Sequence, residues 1–272
     1  MNILIMLAIG LAIFAAVWVV QSIALKLAGE PLTWPMRYTT KKPLVRNTTR
    51  VMIHMSWIIF AIAVPLALGI DLQHAFTQAF PTPVPWRDIA VAIAIVIGWS
   101  LLLYAVDFWA GWLRIEPQHD PVVRRNKLIR RFPGPWPLAT LEEAVFRGVV
   151  LEQLLLALPP TPPFTVLAVV VSSAVFSAMH FIKAYGDKAL WQQAYGYFIV
   201  GCLFGLAYIV GGRSLWLPIA MHGGAVFVVE VMRLYSVIEG PPWLAGYSYS
   251  PQSGLIGSLC VLGMAIALVA LI

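Results

Sequence analysis

The chain has 272 residues, 60% of them hydrophobic and only 11% charged, against roughly a quarter charged in an ordinary soluble domain. That composition excludes a water-soluble globular core. The net charge of +6 does not point to nucleic acid either, because the cations sit in two loops and not across a folded face.

In chain order, the apolar runs predict about eight spanning helices, near residues 3–25, 52–71, 89–112, 138–158, 163–184, 191–210, 214–236 and 253–272. Each approaches the roughly 20 residues needed to cross about 30 Å of hydrocarbon. The expected fold is therefore all-α, a polytopic membrane helical bundle. A single domain over 1–272 is expected, since no repeat is visible and no polar stretch has an apolar pattern of its own. The first run lacks a basic leader and continues into a basic loop, so it reads as a retained helix and not a cleaved signal peptide.

Lys26, Arg37, Lys41, Lys42, Arg46 and Arg50 follow the first run, and Arg114, Arg124, Arg125, Lys127, Arg130 and Arg131 follow the third. This alternation is a positive-inside signature and places both loops in the cytoplasm. The proline-rich loop at 73–87, Pro159–Pro163 and Gly211–Ser214 then fall outside, as do both termini, while Lys183 and Lys188 return to the cytoplasm. The sequon Asn47-Thr48-Thr49 would lie on the wrong side for glycosylation. Cys202 and Cys260 fall inside apolar runs, where packed thiols are expected. Gly201-Cys-Leu-Phe-Gly205 is a small-xxx-small pattern that admits a close neighbouring helix. Trp216, Trp243, Tyr247 and Tyr249 fit interfacial anchors.

An ionisable group at the centre of a span costs at least about 2.5–3.5 kcal/mol, so each one needs a reason. They cluster here. The fourth span opens Thr140-Leu-Glu142-Glu143-Ala-Val-Phe-Arg147-Gly, the fifth carries Phe176-Ser-Ala-Met-His180, and the seventh carries Pro218-Ile-Ala-Met-His222-Gly-Gly. Glu143 and Arg147 are i,i+4 and can pair along one face, with Glu142 turned about 100° away as the freer carboxylate. Thr140-x-x-Glu143 also fits a capping box, which would make the acids structural. Either histidine alone fits a packing residue, but antiparallel fourth and fifth spans would set Glu142 and His180 at similar depth. His222 sits deeper, so the seventh span would have to bend or shift at Pro218 or at Gly223-Gly224. A desolvated glutamate beside an imidazole can activate water, and a second histidine can stabilise an oxyanion.

Glu-Glu-x-x-x-Arg, Phe-x-x-x-His and a third helix with a histidine resemble the CPBP family, which includes CAAX prenyl endopeptidases and bacterial Abi proteins; the likeness covers about 137–232. The resemblance implies a bundle of about eight helices in a bacterial inner membrane, and a glutamate-dependent intramembrane endopeptidase acting on membrane-anchored proteins or peptides. It implies that Glu142 and His180 activate water, that Glu143 and Arg147 support the site, and that His222 belongs to the oxyanion hole. The family often places Asn four residues after the last histidine, where this chain has Val226. No cofactor is expected. The rival hydrolytic reading makes Glu142, His180 and His222 zinc ligands, although there is no His-Glu-x-x-His. A non-catalytic immunity or scaffold protein and a proton-coupled transporter use similar residues.

Among the remaining polar residues, Asp107 is expected to line a water path or, in preference, to hydrogen-bond at the cytoplasmic interface. Glu152 lies about 15 Å along the helix from Glu142, too far to share its water. Glu230 is expected to pair with Arg233 or to face the interface, and His54, His74 and His119 to be solvated.

Overall fold

The computed structural model describes residues 2–31, 42–181 and 190–272; Arg37, Lys41, Lys183 and Lys188 of the predicted cytoplasmic loops lie outside them. Helix α1 (Asn2–Leu27) carries no charge before Lys26, and Leu4, Leu7, Leu11 and Ile23 all stand exposed. An apolar helix that keeps its leucines on the outside suits hydrocarbon. Helix α2 (Pro43–Ala67) begins well before the expected residue 52, because Pro43 supplies a preorganised first turn. Arg46, Arg50 and the sequon residues are therefore helical and not part of a loop. The loop expected at 73–87 likewise contains a short helix, α3 (Leu72–Ala79), capped by Asp71, whose side chain accepts from the Gln73 amide at 3.0 Å.

Helix α4 (Trp86–Trp109) leads to strand β1 (Leu113–Ile115) and helix α5 (Pro121–Arg131). Helix α6 (Pro135–Glu143) passes without a break into a π-helical segment (Ala144–Leu151) and α7 (Glu152–Ala157). There follow α8 (Pro162–Phe181), α9 (Leu190–Val210), α10 (Trp216–Met232), strand β2 (Ser236–Ile238), α11 (Pro242–Ala245) and α12 (Leu255–Leu271). Helices α1, α2, α4, α8 and α9 are long and apolar enough to cross a membrane, and α10 and α12 are shorter apolar helices. With the Pro135–Ala157 rod they account for the eight predicted spans, and the chain is an all-α membrane bundle.

Two span ends differ from expectation. Helices α4 and α10 stop at Trp109 and Met232, not at 112 and 236, and the chain beyond them pairs as an antiparallel β1–β2 ladder with Arg114 opposite Val237. Gly111, with φ 72°, ends α4 in the left-handed conformation that β-carbons disfavour.

Helix α10 packs against α4, α6 and α9; α12 lies on α4 and α9, and α8 on α9. The small-xxx-small pattern opens the α8–α9 contact as expected, since a Cβ on Gly205 would stand 2.8 Å from Val169 Cγ1 and one on Gly201 3.1 Å from Ser173 Cβ. Two of the segments predicted to lie outside meet each other. At one end the Leu215 amide donates to the Ala79 carbonyl at 2.8 Å and Trp216 Nε1 to the Pro81 carbonyl at 3.2 Å. At the other lie α5, the β1–β2 ladder and the 233–254 segment. A single cysteine at exposed His74 should react with an impermeant thiol reagent on intact cells, and one at exposed His119 only after permeabilisation. The reverse pattern would invert the topology.

Candidate functional site

The acidic motif sits deeper than its sequence suggests. Thr140 caps nothing: α6 starts at Pro135, and the Thr140 hydroxyl donates back to the Trp136 carbonyl at 2.9 Å. The capping-box reading fails for that reason. Glu142 is seven residues into the helix, about 10 Å along its axis. Both acids are buried, Glu142 3% and Glu143 0% exposed.

Glu143 pairs with Arg147 as the i,i+4 spacing requires, with Nη1 3.1 Å from each carboxylate oxygen. It also accepts from His222 Nδ1 at 2.6 Å, a contact the spacing did not foretell. Arg147 is buried too; its Nη2 donates to the Gly201 carbonyl on α9 at 2.8 Å, and its guanidinium lies over the Phe176 ring at 4.8 Å. One ion pair thus ties α6, the π-helical segment, α9 and α10 together. Removing one partner of such a pair leaves an uncompensated buried charge.

Glu142 faces both histidines. Its Oε2 lies 3.7 Å from His180 Nε2 and 3.7 Å from His222 Nε2. The orientation of each ring follows from its other nitrogen. His180 Nδ1 is 2.9 Å from the Phe176 carbonyl, which can only accept, so Nδ1 carries hydrogen and a neutral ring turns its Nε2 lone pair to Glu142. His222 Nδ1 likewise carries hydrogen, directed at the Glu143 carboxylate. His180 stacks on Tyr197 at 4.3 Å and packs on Phe176 at 4.4 Å; His222 stacks on Phe204 at 4.7 Å. The Phe of the Phe-x-x-x-His motif therefore orients His180 through its carbonyl and packs against Arg147 and both imidazoles through its ring.

His222 reaches this level without a break in α10, which runs unbroken through Pro218 and Gly223-Gly224. Pro218 lies in the first turn, where amides lack intrahelical acceptors in any case. The levels match because α6 begins early and α10 comes very close to it: a Cβ on Gly223 would run into the Trp136 indole. Trp136, Tyr197, Phe204 and the Gly201 carbonyl were not singled out from sequence. Only the tight α9 pattern at Gly201 and Gly205 pointed toward that helix. Val226, one turn beyond His222, is half-buried and apolar.

The other candidates separate as follows. Glu152, at the far end of the rod, accepts from Tyr208 at 2.9 Å, from Gln78 at 3.2 Å and from Arg213, away from Glu142 as expected. Glu230 pairs with Arg233 at 2.8 Å and with Arg131 at 3.2 Å. His54, His74 and His119 are exposed. Asp107 makes no interfacial hydrogen bond. It is fully buried, and neither of its carboxylate oxygens, nor the hydroxyl of Tyr104 one turn earlier, has a hydrogen-bond partner among the described residues. One turn away, Leu113 of β1 and Ile238 of β2 pack over Tyr104 at the end of α4. Also among the described residues, no group of three His, Cys, Asp or Glu side chains is arranged to hold a metal.

Apolar spans around a buried carboxylate–imidazole cluster define the class, a polytopic membrane protein with a polar site inside its bundle. A model of the Rce1-like family, described as type II CAAX prenyl endopeptidase Rce1-like, matches residues 136–228. That segment holds all three motifs and is similar to the CAAX-protease family. No curated protein and no solved structure matches the chain.

An unpartnered buried carboxylate is destabilising by about 1–3 kcal/mol. Asp107→Leu should therefore raise the thermal midpoint in detergent, and a lowered midpoint would show that the carboxylate is satisfied.

Proposed function

We propose that this protein is a glutamate-dependent intramembrane endopeptidase that cleaves peptide bonds of membrane-anchored proteins or peptides without a metal. The reading is carried by one observation, the convergence of Glu142 Oε2 with the Nε2 atoms of His180 and His222 at 3.7 Å each in a buried site. That separation is too long for direct hydrogen bonds and suits a water bridging the groups.

Glu142 takes a proton from that water while His180 Nε2 holds it by accepting its second hydrogen. The nascent hydroxide adds to the amide carbonyl. Donation to an oxyanion calls for hydrogen on both ring nitrogens of His222. In that form His222 keeps Nδ1–H on Glu143 and offers Nε2–H to the oxyanion. Collapse of the tetrahedral intermediate breaks the C–N bond, and Glu142 returns its proton to the leaving amine. Glu143 and Arg147 act through His222 and are positioning residues. The substrate's membrane anchor confines it to the plane of the site; whether a prenyl group supplies that anchor is decided by comparing prenylated and unprenylated peptides.

Purified Glu142→Gln should lose turnover of a cleavable membrane-anchored peptide while keeping the parent's thermal midpoint, because the amide preserves shape and removes the base. Parent-like turnover would sink the assignment. Glu143→Gln should instead lower stability by about 3–5 kcal/mol, since Arg147 loses its counter-charge in a buried setting. Activity that survives exhaustive chelation separates this mechanism from the zinc reading.

Val226 favours a second reading, a non-catalytic member of the family, because an apolar side chain cannot donate to an oxyanion. One donor is typically worth about a hundredfold to a thousandfold in rate. Under the hydrolytic reading, Val226→Asn should accelerate single-turnover cleavage with little change in affinity. Absence of cleavage in both parent and Val226→Asn selects the non-catalytic reading.

A further inference from the structure

A solvated helix rich in arginine turns its cations outward and hides its apolar residues. Helix α5 follows that rule only in part. Its inward side carries Arg124, over the Tyr235 ring at 5.2 Å, Lys127, whose Nζ is 2.6 Å from His119 Nε2, and Arg131, paired with Glu230 at 3.2 Å. Its outward side carries Val122, 55% exposed, and Ile129, 63% exposed, and continues into Phe132, 65% exposed. Positions 122, 129 and 132 fall on one helical stripe. Arg125 lies on that stripe, between Ile129 and Phe132, and Arg130 beside it; both are exposed, and among the described residues neither has an ion pair.

The depth of this stripe is fixed by a membrane helix. Phe132 packs edge-to-face on Phe227 of α10 at 5.7 Å. Phe227 lies five residues before the end of α10 at Met232, about 7–8 Å inside that end at 1.5 Å per residue. An interfacial amphipathic helix buries its apolar face about 5–10 Å into the boundary between headgroups and acyl chains. Trp109, 80% exposed at the end of spanning α4, marks the same end of the bundle with the residue type favoured at the interface.

We propose that α5 lies in the plane of the cytoplasmic membrane interface, with Val122, Ile129 and Phe132 in the acyl boundary and Arg125 and Arg130 binding anionic phospholipid headgroups. The partner is lipid because Phe132 stands level with the inner part of the apolar helix α10, and the two cations without an ion pair among the described residues are both exposed on this side. Each cation held near an anionic surface strengthens binding about fivefold. The inference rests on α5 and the bundle alone, so it stands or falls independently of peptide hydrolysis.

The test uses the full chain with Cys202 and Cys260 replaced by Ala and Ile129→Cys carrying a nitroxide, reconstituted into phosphatidylcholine vesicles containing phosphatidylglycerol. The label should be accessible to oxygen and shielded from a water-soluble nickel relaxant at every protein-to-lipid ratio. In parallel, Arg125→Gln/Arg130→Gln, in the chain with its native cysteines, should lose about 25-fold of the preference for labelled phosphatidylglycerol over phosphatidylcholine, with its thermal midpoint retained. Free access of the nickel relaxant would show that the face stands in water for a soluble partner and would overturn the proposal. Shielding that appears only at high protein density would assign the face to a second copy, and an unchanged lipid preference would remove anionic recognition; either result overturns it too.

Discussion

A carboxylate inside a membrane bundle stays charged only where donors replace water, and Glu143 is supplied with them from two directions. Arg147 and His222 Nδ1 both donate to Oε1, at 3.1 and 2.6 Å, and the same guanidinium stands within ion-pair distance of Oε2. The same guanidinium holds the Gly201 carbonyl, so a single charge pair fixes the relative level of α6, α9 and α10. Helix α8 joins through Phe176, whose ring lies under Arg147 and whose carbonyl orients His180. The positions of Glu142, His180 and His222 all follow from this one pair.

Packing reinforces the pair where side chains are smallest. Gly223 lets α10 close on Trp136, and Gly201 and Gly205 let α8 close on α9. Lipid tails give apolar helices little reason to associate with one another, so close backbone approach and buried polar contacts do that work. The bundle accordingly leaves many leucines and valines facing outward and concentrates its polar contacts along its axis. Ser172 on α8 extends the pattern by donating to the Phe146 carbonyl at 2.9 Å, within the π-helical segment.

The spans and the three motifs were legible because each has a strong local signature: a long apolar run, or a charge where charge is costly. The Glu143–Arg147 pair was legible from its spacing. Its link to His222 was not, because the two are 79 residues apart in sequence and nothing local couples them. Thr140 misled because a capping box is defined by residue types, whereas Pro135 had already opened the helix. The strands β1 and β2 escaped because Leu113-Arg-Ile and Ser236-Val-Ile are too short to show an alternating pattern. Asp107 differs from expectation because its burial depends on the tertiary packing around the end of α4, which its neighbours in sequence do not announce.

The Ala144–Leu151 π-helical segment stands between two ion pairs on one rod, Glu143 with Arg147 at its head and Glu152 with Arg213 beyond its tail. A π turn accommodates extra residues without breaking the rod, and so works as slack between two fixed registers. In a plain α-helix the angular position of Glu143 would dictate that of Glu152. Here the wider turns of the π segment turn Glu152 to a different side of the rod, where Tyr208 and Arg213 meet it.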